Sequence, residues 1–143
     1  MSIKLIKGFD QSQPMACGTS STVVKGQLLA FDRSNKIVIP WTAALLVEDI
    51  AGVSVNTPAA ADTVCNVIPT KGGQEWEVDC TATTATNQLC IRHLMTDGLT
   101  VNNTSTDATT ASAVFHALEV KGAAAAKKLR GAFTPAFMPK ALS

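Results

Sequence analysis

Charge is scarce in this chain. Asp, Glu, Lys and Arg make up 16% of its 143 residues, against about 25% in an ordinary globular protein. Twelve basic and 11 acidic side chains leave a net charge of +1, which argues against strong electrostatic binding to nucleic acid or an acidic membrane. The short basic cluster Lys127-Lys128-Leu129-Arg130 reads as a solvated loop. Long apolar runs are missing too. Nothing approaches the roughly 18–20 residues of a membrane-spanning helix, and residues 1–10 lack the apolar stretch of a secretory leader. A soluble protein made in the cytoplasm is expected. Cysteine is sparse and unevenly spaced, at positions 17, 65, 80 and 90. That pattern predicts reduced, mostly buried thiols rather than a disulfide framework.

Apolar residues are plentiful, at 46% of the chain, enough for one domain with a real core. With so little charge outside, part of the surface is expected to meet a partner. The stretch Val23 to Val55 organises the rest. It reads as a strand containing Leu29 and Phe31, a polar turn at Asp32-Arg33-Ser34-Asn35, and a second strand containing Val38. Pro40, which cannot donate a ladder hydrogen bond, favours an end to that strand. Thr42 to Asp49 is either one or two helical turns or an extended connector, and a third strand containing Val53 begins near Ile50.

Val64 to Ile68 alternates as a further strand, with Cys65 and Val67 on one side. Pro69 to Gly73 has turn chemistry. Glu75 to Thr81 has the clearest period of two: Trp76, Val78 and Cys80 on one face, Glu75, Glu77 and Asp79 on the other. Leu89 to Leu94 reads as a strand, and Leu99 and Val101 begin another. Asn102 to Ser112 reads as an exposed polar loop. Between Ala113 and Phe137 the alternation predicts a hairpin over a loose alanine turn, with Phe133 in the core. A helix of eight residues between Gly122 and Gly131 would be marginal alone. Residues 1–22 stand apart from this domain of residues 23–143. They read either as a frayed terminus or as an arm that adds a strand to a neighbouring chain through Ile3, Leu5, Ile6 and Phe9.

Little in the sequence is arranged for chemistry. Cys80, Cys90 and His93 make at best half a zinc motif. Cys17, His93 and His116 yield Cys/His pairs without a local signature. The carboxylates of Glu75, Glu77 and Asp79 would repel one another unless neutralised, and suit a solvated face better than an acid/base pair. Gly72-Gly73 lacks the spacing of a phosphate loop. No catalytic residue, metal, cofactor or small-molecule substrate is expected.

The order of elements resembles the capsid decoration (cement) proteins of tailed bacteriophages. The residues that carry the likeness are Val24-Lys25-Gly26-Gln27-Leu28-Leu29, Ile50-Ala51-Gly52-Val53, Asp62-Thr63-Val64, Glu75-Trp76-Glu77-Val78 and a closing Phe133. The N-terminal segment and the Asn102 to Ser112 loop depart from the shorter members. The resemblance implies an all-β fold: a small β-barrel or β-tulip-like domain with an extended N-terminal arm and at most one or two short helices. It further implies a virion protein on the outer capsid surface, a homotrimer that bridges subunits of the major capsid protein. Another virion component, such as a head fibre or tail part, and a small β-barrel that lines a ligand cavity with Trp41 and Trp76 are the alternatives.

Overall fold

Asp32 closes the first hairpin. Its carboxylate accepts from the backbone N–H and the side-chain amide of Asn35, at 3.2 and 2.8 Å, and Lys36 completes the reversal at a φ of 58°. The computed structural model describes residues 3–19, 21–104 and 113–136, and these form an all-β fold. The strands are β1 (Lys4–Lys7), β2 (Gln13–Ala16), β3 (Leu28–Asp32), β4 (Ile37–Pro40), β5 (Ile50–Ser54), β6 (Val64–Pro69), β7 (Glu75–Cys80), β8 (Arg92–Met95), β9 (Thr100–Asn102), β10 (Ala113–Val120) and β11 (Lys128–Phe133). Helical structure among the described residues is confined to three single 3₁₀ turns, at Val47–Asp49, Thr86–Gln88 and Ala124–Ala126.

Two sheets result. The first runs β1-β7-β11-β10-β8-β9, and the second runs β2-β6-β5-β3-β4. In the first, β9 also pairs in parallel with β7, Asp79 opposite Thr100 and Cys80 opposite Val101, so the ladder returns to a strand it already contains. The main core joins both sheets. Leu28, Ala30, Ile50 and Val53 from the second meet Trp76, Val78, Phe115, Leu129 and Phe133 from the first. Phe133 packs edge-on against both Trp76 and Phe115, with centroids 5.8 and 5.1 Å away, a geometry that suits the ring quadrupoles.

A second cluster lies on the other face of the second sheet. Cys17, Val23, Leu29, Val38, Ala51, Cys65 and Val67 fill it, with Met15 and half-buried Phe31 packed alongside. Neither face of β5 therefore reaches water, and all five of its residues are buried. Gly52 shows how close the neighbours stand, since a Cβ there would lie 2.2 Å from the Ile68 carbonyl oxygen.

Several boundaries differ from the sequence reading. Val23 to Gln27 is a turn leading into β3, not part of a strand. The strand expected at Leu89 begins only at Arg92, because Cys90 turns the chain at a φ of 64°. Pro14 sits inside β2, tolerated because β2 is an edge strand. The hairpin over the alanines is present as β10 and β11, but register shifts in β10 leave both Val114 and Phe115 buried, where alternation predicted one. Residues 105–112 of the expected polar loop, and Phe137, lie outside the described residues.

Two substitutions test this packing. Trp76, 1% exposed, should cost about 3–5 kcal/mol when changed to Ala. Gly52→Ala forces a Cβ against backbone and should cost about 3 kcal/mol. Urea unfolding of each variant checks both, and a midpoint equal to wild type for either would contradict the two-faced burial described above.

Candidate functional site

Edge strands are where a β-protein has main-chain hydrogen bonds left to offer. Among the described residues β1, β2 and β4 end their sheets. Two of these edges carry proline, Pro14 in β2 and Pro40 in β4, which removes donors and blunts pairing. The sequence of β1, Lys-Leu-Ile-Lys, has none.

Each kind of edge borders a cleft. Between β2 and the β3–β4 hairpin lies one of about 320 Å³, walled by Met15, Phe31, Ile37 and Val38. Its Arg33 is already committed: Nε donates to Asp49 at 3.1 Å, and the guanidinium stands 5.2 Å from the Phe31 ring centre. The other cleft, of about 400 Å³, opens between β1 and the end of β5. Trp76, Ile68, Val53 and Leu5 make it apolar, and Lys4 and Lys25 line it as well.

The N-terminal residues are built into this second cleft rather than projecting as an arm. Ile3 is 6% exposed, and belongs to the main core, and its N–H donates to the Gly26 carbonyl at 2.9 Å. Leu5 is half-buried against the same core. Gly8, at a φ of 107°, passes so close to Gln74 that a Cβ would fall 2.8 Å from its Cα. Gln74 then fastens the segment. Its amide donates to the Phe9 and Pro69 carbonyls at 2.7 and 3.0 Å, and its Oε1 accepts from Lys71 N–H and Trp76 Nε1 at 2.7 and 3.3 Å. Phe9 is half-buried with the Lys71 ammonium 4.0 Å from its ring centre. Only Ile6, 41% exposed, faces outward as an anchor would. Residues 3–16 thus supply an edge strand to each sheet.

Charge on the first sheet is arranged in rows. Glu75, Glu77 and Asp79 alternate out of β7, each only partly exposed, and cations on the neighbouring strands neutralise them. Arg130 meets Glu75 at 2.6 Å, and Lys128 meets Asp79 at 2.6 Å and Glu77 at 3.8 Å. Lys7 reaches Glu75 at 3.6 Å, and Glu119 takes Arg130 and Lys121 at 3.4 and 3.7 Å. The hydrogen bond from Arg130 holds the Glu75 carboxyl below its usual range, and that from Lys128 to Asp79 raises the ammonium above its own. Lys4 and Lys25 stand outside this arrangement. Neither has an ion pair among the described residues.

Cysteine and histidine are dispersed. Cys80 is buried in the main core, Cys90 is exposed, and Cys17 is buried in the second cluster. His116 is exposed on β10. His93 is 1% exposed, with Nε2 2.8 Å from the Gln88 carbonyl and Nδ1 without a hydrogen-bond partner among the described residues. No group of three or more His, Cys, Asp or Glu side chains able to hold a metal ion occurs among the described residues. Trp76 lines the larger cleft while Trp41 is fully buried, so the two tryptophans do not share it. Sequence reasoning missed Lys25, Gly26 and Ser54 as neighbours of β1. Their only signal was the Lys-Gly turn before β3.

A scan against protein-family models and a search of curated proteins each return no match for this chain.

The thiols give a direct check. Burial pushes the Cys65 thiol up to about 11 and the Cys80 thiol up to about 12 from an ordinary 9.0, with Cys17 and Asp79 adding to the respective shifts. Folded thiols thus keep protons that unfolded ones release above pH 9. Their contribution is complete below pH 9 and is lost as pH rises through 11 and then 12, by on the order of 1 kcal/mol per pH unit for each thiol. The Cys65→Ala/Cys80→Ala variant should lose less stability than wild type between pH 8.5 and 11. In native protein at pH 8, a thiol reagent should label Cys90 rapidly and the other three only on unfolding.

Proposed function

We propose that this chain is a virion structural protein of a tailed bacteriophage, a decoration protein that coats the outer capsid surface and bridges subunits of the major capsid protein. The observation that carries the reading is the proline-free edge of β1, with Ile6 exposed on it beside a cleft lined in part by apolar side chains. Adhesion through main chain and apolar side chains needs such a surface and needs no reactive group. Val64 and Leu118, on strands of the two different sheets, and Leu46 and Val24, in connecting segments, are also exposed, which suits a protein that touches more than one neighbour. The resemblance in the Val23 to Phe133 stretch supports the same reading and brings with it assembly as a homotrimer.

The energetic logic is mass action. A protein that binds only the assembled shell stabilises it by about 2.7 kcal/mol per site at a hundredfold excess over Kd. Repeated around a shell, modest contacts resist the pressure of packaged DNA. Truncating residues 2–13 is a poor test, because it removes Ile3 from the core and β1 from β7. Ile6→Asp leaves both in place.

Purified protein should co-sediment with expanded shells of its major capsid protein and raise their disruption temperature. Ile6→Asp should lower occupancy at least tenfold while melting like wild type. Wild-type protein that leaves shells bare would refute the proposal, and an undiminished Ile6→Asp variant would remove β1 from the interface. Mass measurement in solution separately decides trimer against monomer.

A further inference from the structure

From the cleft beside β1 we infer a binding site for an extended acidic peptide. It takes a segment in which carboxylates alternate with β-branched or other apolar residues. The inference borrows from the capsid reading only the identity of the protein that would carry such a segment. The site itself follows from three features found together at this one place.

The first is the backbone. Beyond the bond from Ile3 to Gly26, the outer side of β1 has no ladder partner among the described residues. An extended chain can add to it as an edge strand, and unlike β2 and β4 it has no proline to interrupt the pairing. The second is the wall. Half-buried Leu5 and Ile68, backed by the buried Trp76 and Val53, line a cleft of about 400 Å³, room for a few side chains. An added strand points every second residue toward one face, so alternate apolar residues reach this wall together.

The third feature is charge. Cations of the first sheet at Lys7, Lys121, Lys128 and Arg130 are each held by a carboxylate. Lys4 and Lys25 have no ion pair among the described residues, as is also true of Lys36, Lys71, Arg92 and Lys127, but these two line one apolar cleft together. Lys4 lies opposite Glu77 in the β1–β7 register, but the ion pair of Glu77 goes to Lys128. Two uncommitted ammonium groups beside an apolar cleft favour a carboxylate-bearing occupant and repel a basic one. The smaller cleft has one lysine without an ion pair among the described residues, Lys36, but its edges carry proline and its Arg33 is engaged by Asp49.

An acetylated, amidated hexapeptide alternating Glu and Val is the probe, with its Lys-for-Glu counterpart as control. Calorimetric titration at low salt should show one site for the acidic peptide and at least tenfold weaker binding of the basic one. Hydrogen exchange at the amides of Lys4–Lys7 should slow on binding. Lys4→Gln/Lys25→Gln should weaken the acidic peptide at least tenfold, and Lys36→Gln, at the other cleft, should not. The inference fails if the acidic peptide does not bind, if the basic peptide binds equally, or if the Lys4→Gln/Lys25→Gln variant binds as wild type does. Weakening by Lys36→Gln would move the site to the smaller cleft and equally overturn it. None of these outcomes involves a capsid, so they separate the peptide site from the decoration role.

Discussion

Strand β5 has no solvent side, and much of the molecule is arranged around that fact. Ile50 and Val53 face the first sheet, while Ala51 belongs to the cluster on the other side. A strand buried on both faces must satisfy its polar groups through neighbours on both edges, and β3 and β6 provide them. It also tolerates little bulk where sheets and strands crowd, hence glycine at position 52. Ser54 ends the strand by donating to the Val24 carbonyl and accepting from the Gln27 N–H. This ties the turn before β3 to the place where the N-terminus joins the fold.

That joint explains how residues 3–9 are held against the rest of the fold. Ile3 completes the core between the sheets, Gly8 lets the chain pass against Gln74, and Gln74 uses both ends of its amide to hold Phe9 and the β6–β7 turn. Buried amides are stabilising only when their donors and acceptors are met, and here they are. Fastening the segment holds β1 in a fixed position, so less ordering entropy would be lost in any contact there than with a mobile strand.

Charge divides the surface by use. Where carboxylates on β7 would repel one another, cations on β1 and β11 stand opposite, and that face is neutral and sealed. Surface pairs of this kind add little stability each. Their larger effect is to offset the repulsion among Glu75, Glu77 and Asp79.

The sequence by itself determined the strand character of most segments and the inward face of the more regular ones. Alternation alone placed Trp76, Val78 and Cys80 inside and Glu75, Glu77 and Asp79 outside, and the Asp32–Asn35 turn and Pro40 bounded the first hairpin. It also carried the all-β class and the hairpin over the alanines, because eight helical residues cannot nucleate unaided. What it could not carry was anything set by which strands become neighbours. Leu28, Leu29 and Ala30 are consecutive and all buried, a pattern that has no period until both faces of β3 are covered. Cys90 and the shifts in β10 break regularity through backbone geometry, which side-chain pattern does not encode. The cleft beside β1 joins Lys4 to Lys25 and Trp76 across the two sheets, and only the tertiary fold brings residues so distant in the chain to one surface.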